Sequence, residues 1–133
     1  MNRYLLDTDS CIYYLNATSK ELVNRILAAG PSRLSLSTLT LAELHFGAAR
    51  SGRPSANAKR VDLFADELTL VPFSEKCARE FGRIKADLRV RGTPIGDIDI
   101  AIAASAVVTG HTIVSADRDF RRIHGLEVEN WRK

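Results

Sequence analysis

The chain has 133 residues, 45% of them hydrophobic and 26% charged, and a formal net charge of +3. That length suits one domain with a proper core and is too short for two. The proportions are those of a soluble globular protein, no apolar run approaches the ~20 residues that cross a bilayer, and the first residues lack the layout of a secretory signal. Cys11 and Cys77 stand alone in apolar surroundings without disulfide or metal spacing. They predict two buried, reduced thiols in a cytoplasmic protein. A pI near 9.1 is mildly basic. It gains meaning if several acids share one pocket, because the remaining surface is then more cationic, as an enzyme acting on a polyanion requires.

Taken in order, Arg3-Tyr4-Leu5-Leu6 reads as a short buried strand, followed by helices over Ser10–Asn16 and Ser19–Ala29, the second capped by Ser19 and stopped by Gly30-Pro31. Arg33–Leu36 is a second strand. Ser37 opens a helix from Thr38 to about Arg50, and a turn over Ser51–Ser55 leads to a helix over Asn57–Glu67. Leu68–Pro72 is the third strand. Ser74 caps a long helix to about Val90, in which Glu75–Arg79, Arg83–Asp87 and Asp87–Arg91 are spaced as ion pairs. After Arg91-Gly92-Thr93-Pro94, a nearly all-apolar helix runs from Asp97 to Thr109. A strand over His111–Val114, a short helix over Asp117–Ile123 and a strand over Leu126–Val128 complete the chain before Trp131. Alternating strands and helices predict an α/β/α sandwich with a mostly parallel sheet of about five strands, the Asp97 helix being central.

Acids recur where strands end. In a parallel sheet those carboxyl ends share one edge, and ligands sit in the crevice beside it. Asp7 closes the first strand, as a metal ligand or a helix cap; Asp9, two residues on, suits a cap or a peripheral position. Glu43 shares a helix face with Leu39 and Phe46, while Leu41, Leu44 and Ala48 make that helix largely buried. No Lys or Arg lies one turn away on it, so an ionised Glu43 needs a cation or an Arg from elsewhere. Asp97 is explained by capping. Asp99 shares a face with Ile102, Ala103 and Ala106. The helix dipole offers it only ~0.3–1 kcal/mol, so it is the stronger ligand candidate. Asp117 follows the fourth strand at the same edge as Asp7, with capping as the alternative, and Asp119 falls on the exposed side. Several carboxylates without a basic partner suit a hard divalent cation.

Four stretches taken together resemble the PIN-domain ribonucleases, and more narrowly the VapC toxins of bacterial VapBC toxin–antitoxin pairs. They are Tyr4-Leu-Leu-Asp-Thr-Asp9, Ser37-Thr-Leu-Thr-Leu-Ala-Glu-Leu-His-Phe-Gly47, Thr93-Pro-Ile-Gly-Asp-Ile-Asp-Ile-Ala-Ile-Ala-Ala104 and Thr112-Ile-Val-Ser-Ala-Asp-Arg-Asp-Phe120. The closing Gly125–Trp131 is typical of the same group. The resemblance implies a PIN-like fold with metal-binding acids at Asp7, Glu43, Asp99 and Asp117. Two departures stand out: Ser115 where the family usually has Thr, and Asp9 where it usually has Asn. It also implies a Mg²⁺- or Mn²⁺-dependent endoribonuclease, a homodimer and a cognate VapB-like antitoxin, with DNA bound only through that antitoxin. Hydrolysis by metal-activated water needs no histidine base.

Contacts to the RNA backbone are expected from Arg50, Arg53, Lys59 and Arg60, and from Arg118, Arg121 and Arg122, each weighed against an ordinary surface charge. Two rival readings remain at this point. Asp7-Thr8-Asp9-Ser10 and Gly96-Asp97 imitate motifs of haloacid-dehalogenase phosphatases, but Arg91–Ile95 is not the apolar strand that should precede the second, and Glu43 has no role there. The other rival is a non-catalytic module that binds RNA or a protein partner.

Overall fold

A computed structural model of the chain describes residues 2–133. Five strands form one sheet: β1 (Tyr4–Leu6), β2 (Leu34–Ser37), β3 (Thr69–Val71), β4 (Thr112–Val114) and β5 (Val128–Glu129). Their order is β3-β2-β1-β4-β5 and every pairing is parallel. The α-helices are α1 (Thr8–Leu15), α2 (Lys20–Ala29), α3 (Thr38–Ala49), α4 (Pro54–Asp66), α5 (Glu75–Val90) and α6 (Asp97–Thr109).

Successive residues of a strand point to opposite faces, and that alternation builds two cores. Leu5 and Ile113 pack with Ile84, Leu88, Ile102 and Phe120 on the face covered by α5 and α6. Leu6 and Val114, one residue on, pack with Cys11, Leu22, Leu44 and Trp131 on the face covered by α1 to α4. Each fully buried Leu or Ile contributes ~1.5–3 kcal/mol relative to an exposed one. Ile100 to Ala106 of α6 are all buried, as expected of a central helix. Gly110 ends that helix in the left-handed region at φ 73°, which lets the chain turn straight into β4. Cys11 and Cys77 are buried and unpaired. No helix among the described residues is long and apolar enough to cross a membrane.

Connectivity locates the crevice. The chain steps outward from β1 through β2 to β3, returns to lay β4 on the other side of β1, then continues to β5. The reversal point lies between β1 and β4, so the opening beyond their carboxyl ends is where a ligand fits.

Several boundaries differ from the expectations. α1 starts at Thr8 because Asp7, not Asp9, is its cap: the Asp7 carboxylate accepts the Ser10 N–H at 2.8 Å, and Asp9 is exposed in the first turn. α4 starts at Pro54, a residue suited to the first helical turn. The short helix after β4 is a 3₁₀ turn over Arg118–Arg122, β5 is Val128–Glu129, and a 3₁₀ turn over Pro31–Arg33 precedes β2. In α5, Arg83 pairs with Glu80 rather than Asp87, while Glu75–Arg79 and Asp87–Arg91 form as spaced. α3 is less buried than expected: Thr40, Leu44 and Ala48 face inward, and Phe46 is 67% exposed.

His111 is buried at the opposite, amino-terminal edge of the sheet. Its Nδ1 lies 2.7 Å from the Thr109 hydroxyl and its Nε2 lies 3.1 Å from the Ser35 hydroxyl. Thr109 already donates to the Ser105 carbonyl, so Nδ1 carries the proton and Nε2 accepts from Ser35. Burial, then the Arg3 charge, hold this imidazole below its ordinary 6.5. It is neutral in the fold, so the stability it lends is complete above pH 6.5 and fades as acid drives the unfolded form to take up the proton. His111→Ala leaves the buried Ser35 hydroxyl without this partner, at ~1–3 kcal/mol. The expected result is a lower urea midpoint at unchanged slope.

Candidate active site

Asp7 leaves β1 with extended backbone and caps α1 with the bond to Ser10. Only 4% of it is exposed. Burial pushes its carboxyl above the ordinary range, hydrogen bonds from Ser10 and Ser115 pull the other way, and the Asp9 charge adds to the rise. Ser115, one residue past β4, also accepts the Asp117 N–H at 2.9 Å. That buried hydroxyl fixes the turn carrying Asp117, and the Asp7 N–H donates to the Val114 carbonyl at 3.2 Å, so the ends of β1 and β4 are held together. Asp117 caps the following 3₁₀ turn by accepting the Asp119 N–H at 2.9 Å, so capping and membership of the acidic crevice coexist in one residue.

Glu43 comes from the second turn of α3 and is partly exposed rather than sunk among apolar neighbours. Its Oε1 accepts the Thr8 hydroxyl at 2.6 Å. Thr8 lies 3.2 Å from the Thr40 hydroxyl, and Thr40 lies 3.3 Å from Ser37. This run of hydroxyls ties α1 to α3 and holds Glu43 toward the crevice. Thr8 and Thr40 carried no signal in the sequence, since their use depends on a contact across 32 residues.

Asp99, in the first turn of α6, is half-buried, and its carboxyl is pushed up to about 6. Burial is the largest cause; the charges of Asp117, Glu43, Asp7 and Asp9 follow. Four acids that expectation placed at one edge thus act on one another through space, and Asp9 joins them. None of these five forms an ion pair with Lys, Arg or His among the described residues. Asp97 stands apart. Gly96, not Asp97, occupies the cap position of α6, and the Asp97 carboxylate pairs with Lys85 Nζ at 2.9 Å. Asp119 pairs with Arg122 at 2.9 Å.

Oxygen donors with excess negative charge fit a hard divalent cation in kind. In arrangement they stand wider apart: among the described residues no three Asp, Glu, His or Cys side chains are grouped to hold one ion. The four could hold one ion together only after inward rotation of their side chains.

The PIN domain family matches residues 4–126. The chain is 37% identical over 132 residues to Ribonuclease VapC2 of Haemophilus influenzae, covering 98% of this chain and 99% of that one. It is 33% identical over 132 residues to the tRNA(fMet)-specific endonuclease VapC of Salmonella typhimurium, with the same coverage. This chain is a PIN domain of the VapC family. The crystal structure of DNA-bound VapBC from Salmonella typhimurium superposes on it with a TM-score of 0.91 at 33% identity, over 98% of this chain and 99% of that one. The α/β/α architecture is therefore that of the family.

The basic residues expected to meet RNA are unevenly placed in this PIN domain, and of them, among the described residues, only Arg60 shares a cavity with a site acid. Arg50, Arg53 and Lys59 are exposed, and Arg50 lies over the Phe46 ring at 5.3 Å. Arg60 is engaged with the Leu15 carbonyl and lines a 230 Å³ groove that reaches Glu43. Arg118 and Arg121 are exposed on the turn after Asp117, while Arg122 is held by Asp119. On the other side, a cleft of 240 Å³ is lined by Asp9, Ser10, Ala116, Asp117 and Arg132. Arg132 had no signal in the sequence, being one more basic residue after Trp131.

Proposed function

We propose that this PIN domain is an endoribonuclease that hydrolyses RNA phosphodiester bonds with Mg²⁺ or Mn²⁺ held by Asp7, Glu43, Asp99 and Asp117. The observation that carries the reading is Asp99 on its half-buried helix turn, whose carboxyl is raised by burial first and then by the charges of four other carboxylates, none of the five paired with a cation among the described residues. When bound, the metal activates water near neutral pH and offsets charge on the scissile phosphate. The protein's part is positional. The Ser10 N–H fixes Asp7, Ser115 fixes the turn that carries Asp117, the Thr8 hydroxyl fixes Glu43, and the buried body of α6 fixes Asp99. Histidine has no part in the reaction: His45 pairs with Asp62, His111 lies at the far edge of the sheet, and His124 approaches Asp87. Without help from the ribose 2′-OH, the products carry 5′-phosphate and 3′-hydroxyl ends.

The same reading makes the protein the cytoplasmic toxin of a toxin–antitoxin pair, acting as a homodimer restrained by a VapB-like antitoxin, with DNA bound only through that antitoxin. Support comes from the VapBC complex it resembles and from its uncovered apolar side chains. Phe46 and Leu63 are more than half exposed, and a 310 Å³ cleft is lined largely by Leu39, Phe73, Phe81, Ile98 and Ala101. Patches of this kind suit protein partners.

Incubating the purified protein with total RNA in Mg²⁺ should yield discrete new 5′ ends on sequencing, and EDTA should suppress them. An RNA pool left intact in both Mg²⁺ and Mn²⁺ would remove the enzymatic reading in favour of a binding module.

A further inference from the structure

An acidic crevice repels the polyanion it is to cut, so a fixed cation beside it has a task that scattered surface charges do not. We propose that Arg132, stacked on Tyr13 at the cleft shared with Asp9 and Asp117, anchors an RNA phosphate next to the one being cleaved and so sets the register of the substrate. The inference rests on the RNA-cleaving reading above and deepens it.

Placement comes first. Tyr13 lies four residues after Asp9 on α1, hence on the same helix face one turn along. The tail that carries Arg132 is pinned by Trp131. The Trp131 indole is 3% exposed, donates to Glu129 Oε1 at 2.9 Å and packs edge-on against Tyr4 with ring centres 4.7 Å apart. The Arg132 N–H donates to Asn130 Oδ1 at 3.0 Å, which fixes the turn that follows. The guanidinium carbon then sits 3.7 Å above the Tyr13 ring centre.

Availability comes second. Arg132 is exposed and forms no ion pair among the described residues, although Asp9 and Asp117 line the same cleft. Arg122 is engaged with Asp119, and Arg60 with the Leu15 carbonyl; Arg118 and Arg121, after Asp117, are exposed as well, but of these arginines Arg132 is the one oriented by stacking on a ring. A stacked guanidinium keeps its planar fork of donors free for a phosphate and loses little freedom on binding, because the ring has already oriented it. Its contribution belongs to binding and not to the chemical step, which makes it a positioning residue.

The test compares wild type, Arg132→Ala and Arg132→Lys. Binding of a fluorescent, mixed-sequence single-stranded RNA is measured in EDTA across a salt series, and cleavage of the same RNA in Mg²⁺. Arg132→Ala is expected to weaken binding about tenfold, as for one charge-assisted hydrogen bond, and to flatten the log Kd against log salt slope by about 0.7. KM should rise by the same factor while kcat stays within about twofold. Arg132→Lys should restore the salt slope but only part of the affinity, since an ammonium does not stack as a guanidinium does. Wild-type affinity and slope in Arg132→Ala would overturn the proposal, as would a fall in kcat at constant KM. A wild type that binds RNA without cutting it brings down the cleavage reading alone, and the binding series still judges Arg132. A wild type that neither binds nor cuts overturns both.

Discussion

Asp99→Asn is expected to abolish RNA cleavage and to make the metal-free protein more stable. Loss of one carboxylate from a charge-stabilising site should lower the rate on the order of 10²–10³-fold. The stability gain follows from the burial of the residue first and from the carboxylates around it second. Its carboxyl is raised from 3.8 to about 6, so the fold holds that proton more tightly than the unfolded chain does. Stability therefore falls as pH climbs from 3.8 to about 6, and the penalty is full above that window. For a sealed group the gap would amount to about 3 kcal/mol. Solvent reaches the half-buried Asp99, and screening brings the gain down to about 1–2 kcal/mol, or about 3–8 °C in Tm. Asparagine carries no charge and escapes the penalty. In EDTA at pH 7.5, Asp99→Asn should melt above wild type, and below pH 3.8 the two should converge. Mg²⁺ or Mn²⁺ should raise the wild-type midpoint at pH 7.5 and leave the variant nearly unmoved. Equal midpoints in EDTA at every pH would show that the acids do not oppose one another as described.

The second large effect separates two roles of Asp7. Asp7→Asn and Asp7→Ala should both be inactive, because each removes the charge at the end of β1. Their stabilities should differ. Asparagine caps a helix as well as aspartate and can still accept the Ser10 N–H, whereas alanine leaves that buried donor without its partner. Asp7→Ala should therefore be less stable than Asp7→Asn by about 1–2 kcal/mol, read as a shift in urea midpoint. Cleavage retained in Asp7→Asn would remove Asp7 from the reacting set, however well the helix is capped.

These two residues show why the chain was only partly readable. Long helices with unambiguous ends could be drawn from the sequence: Ser74 caps α5 and Gly110 closes α6, and both run as expected. Asp-Thr-Asp-Ser offers four successive capping candidates, and only the hydrogen bond from the Ser10 N–H selects Asp7. β5, two residues long, carries almost no periodicity, so it was displaced by a residue or two. The start of α4 is legible at Pro54, since a proline suits the first helical turn. Within the site, the acids could be picked out because carboxylates at strand ends and in apolar helices are costly residues. The hydroxyls of Thr8 and Thr40 and the stacking of Arg132 on Tyr13 arise from contacts between distant segments. The Lys85 partner of Asp97 was hidden for the same reason, since it sits on a different helix, and the expected capping role falls instead to Gly96.

The pairing of β4 beside β1 has a consequence for biosynthesis. Residues 4–6 pair along one side with residues 112–114, and Asp117 comes three residues after that strand. A polypeptide still emerging from the ribosome holds Asp7 and Glu43 long before it can bring Asp117 alongside them. On the reading proposed above, the four carboxylates therefore come together only once the strand over 112–114 has docked beside residues 4–6.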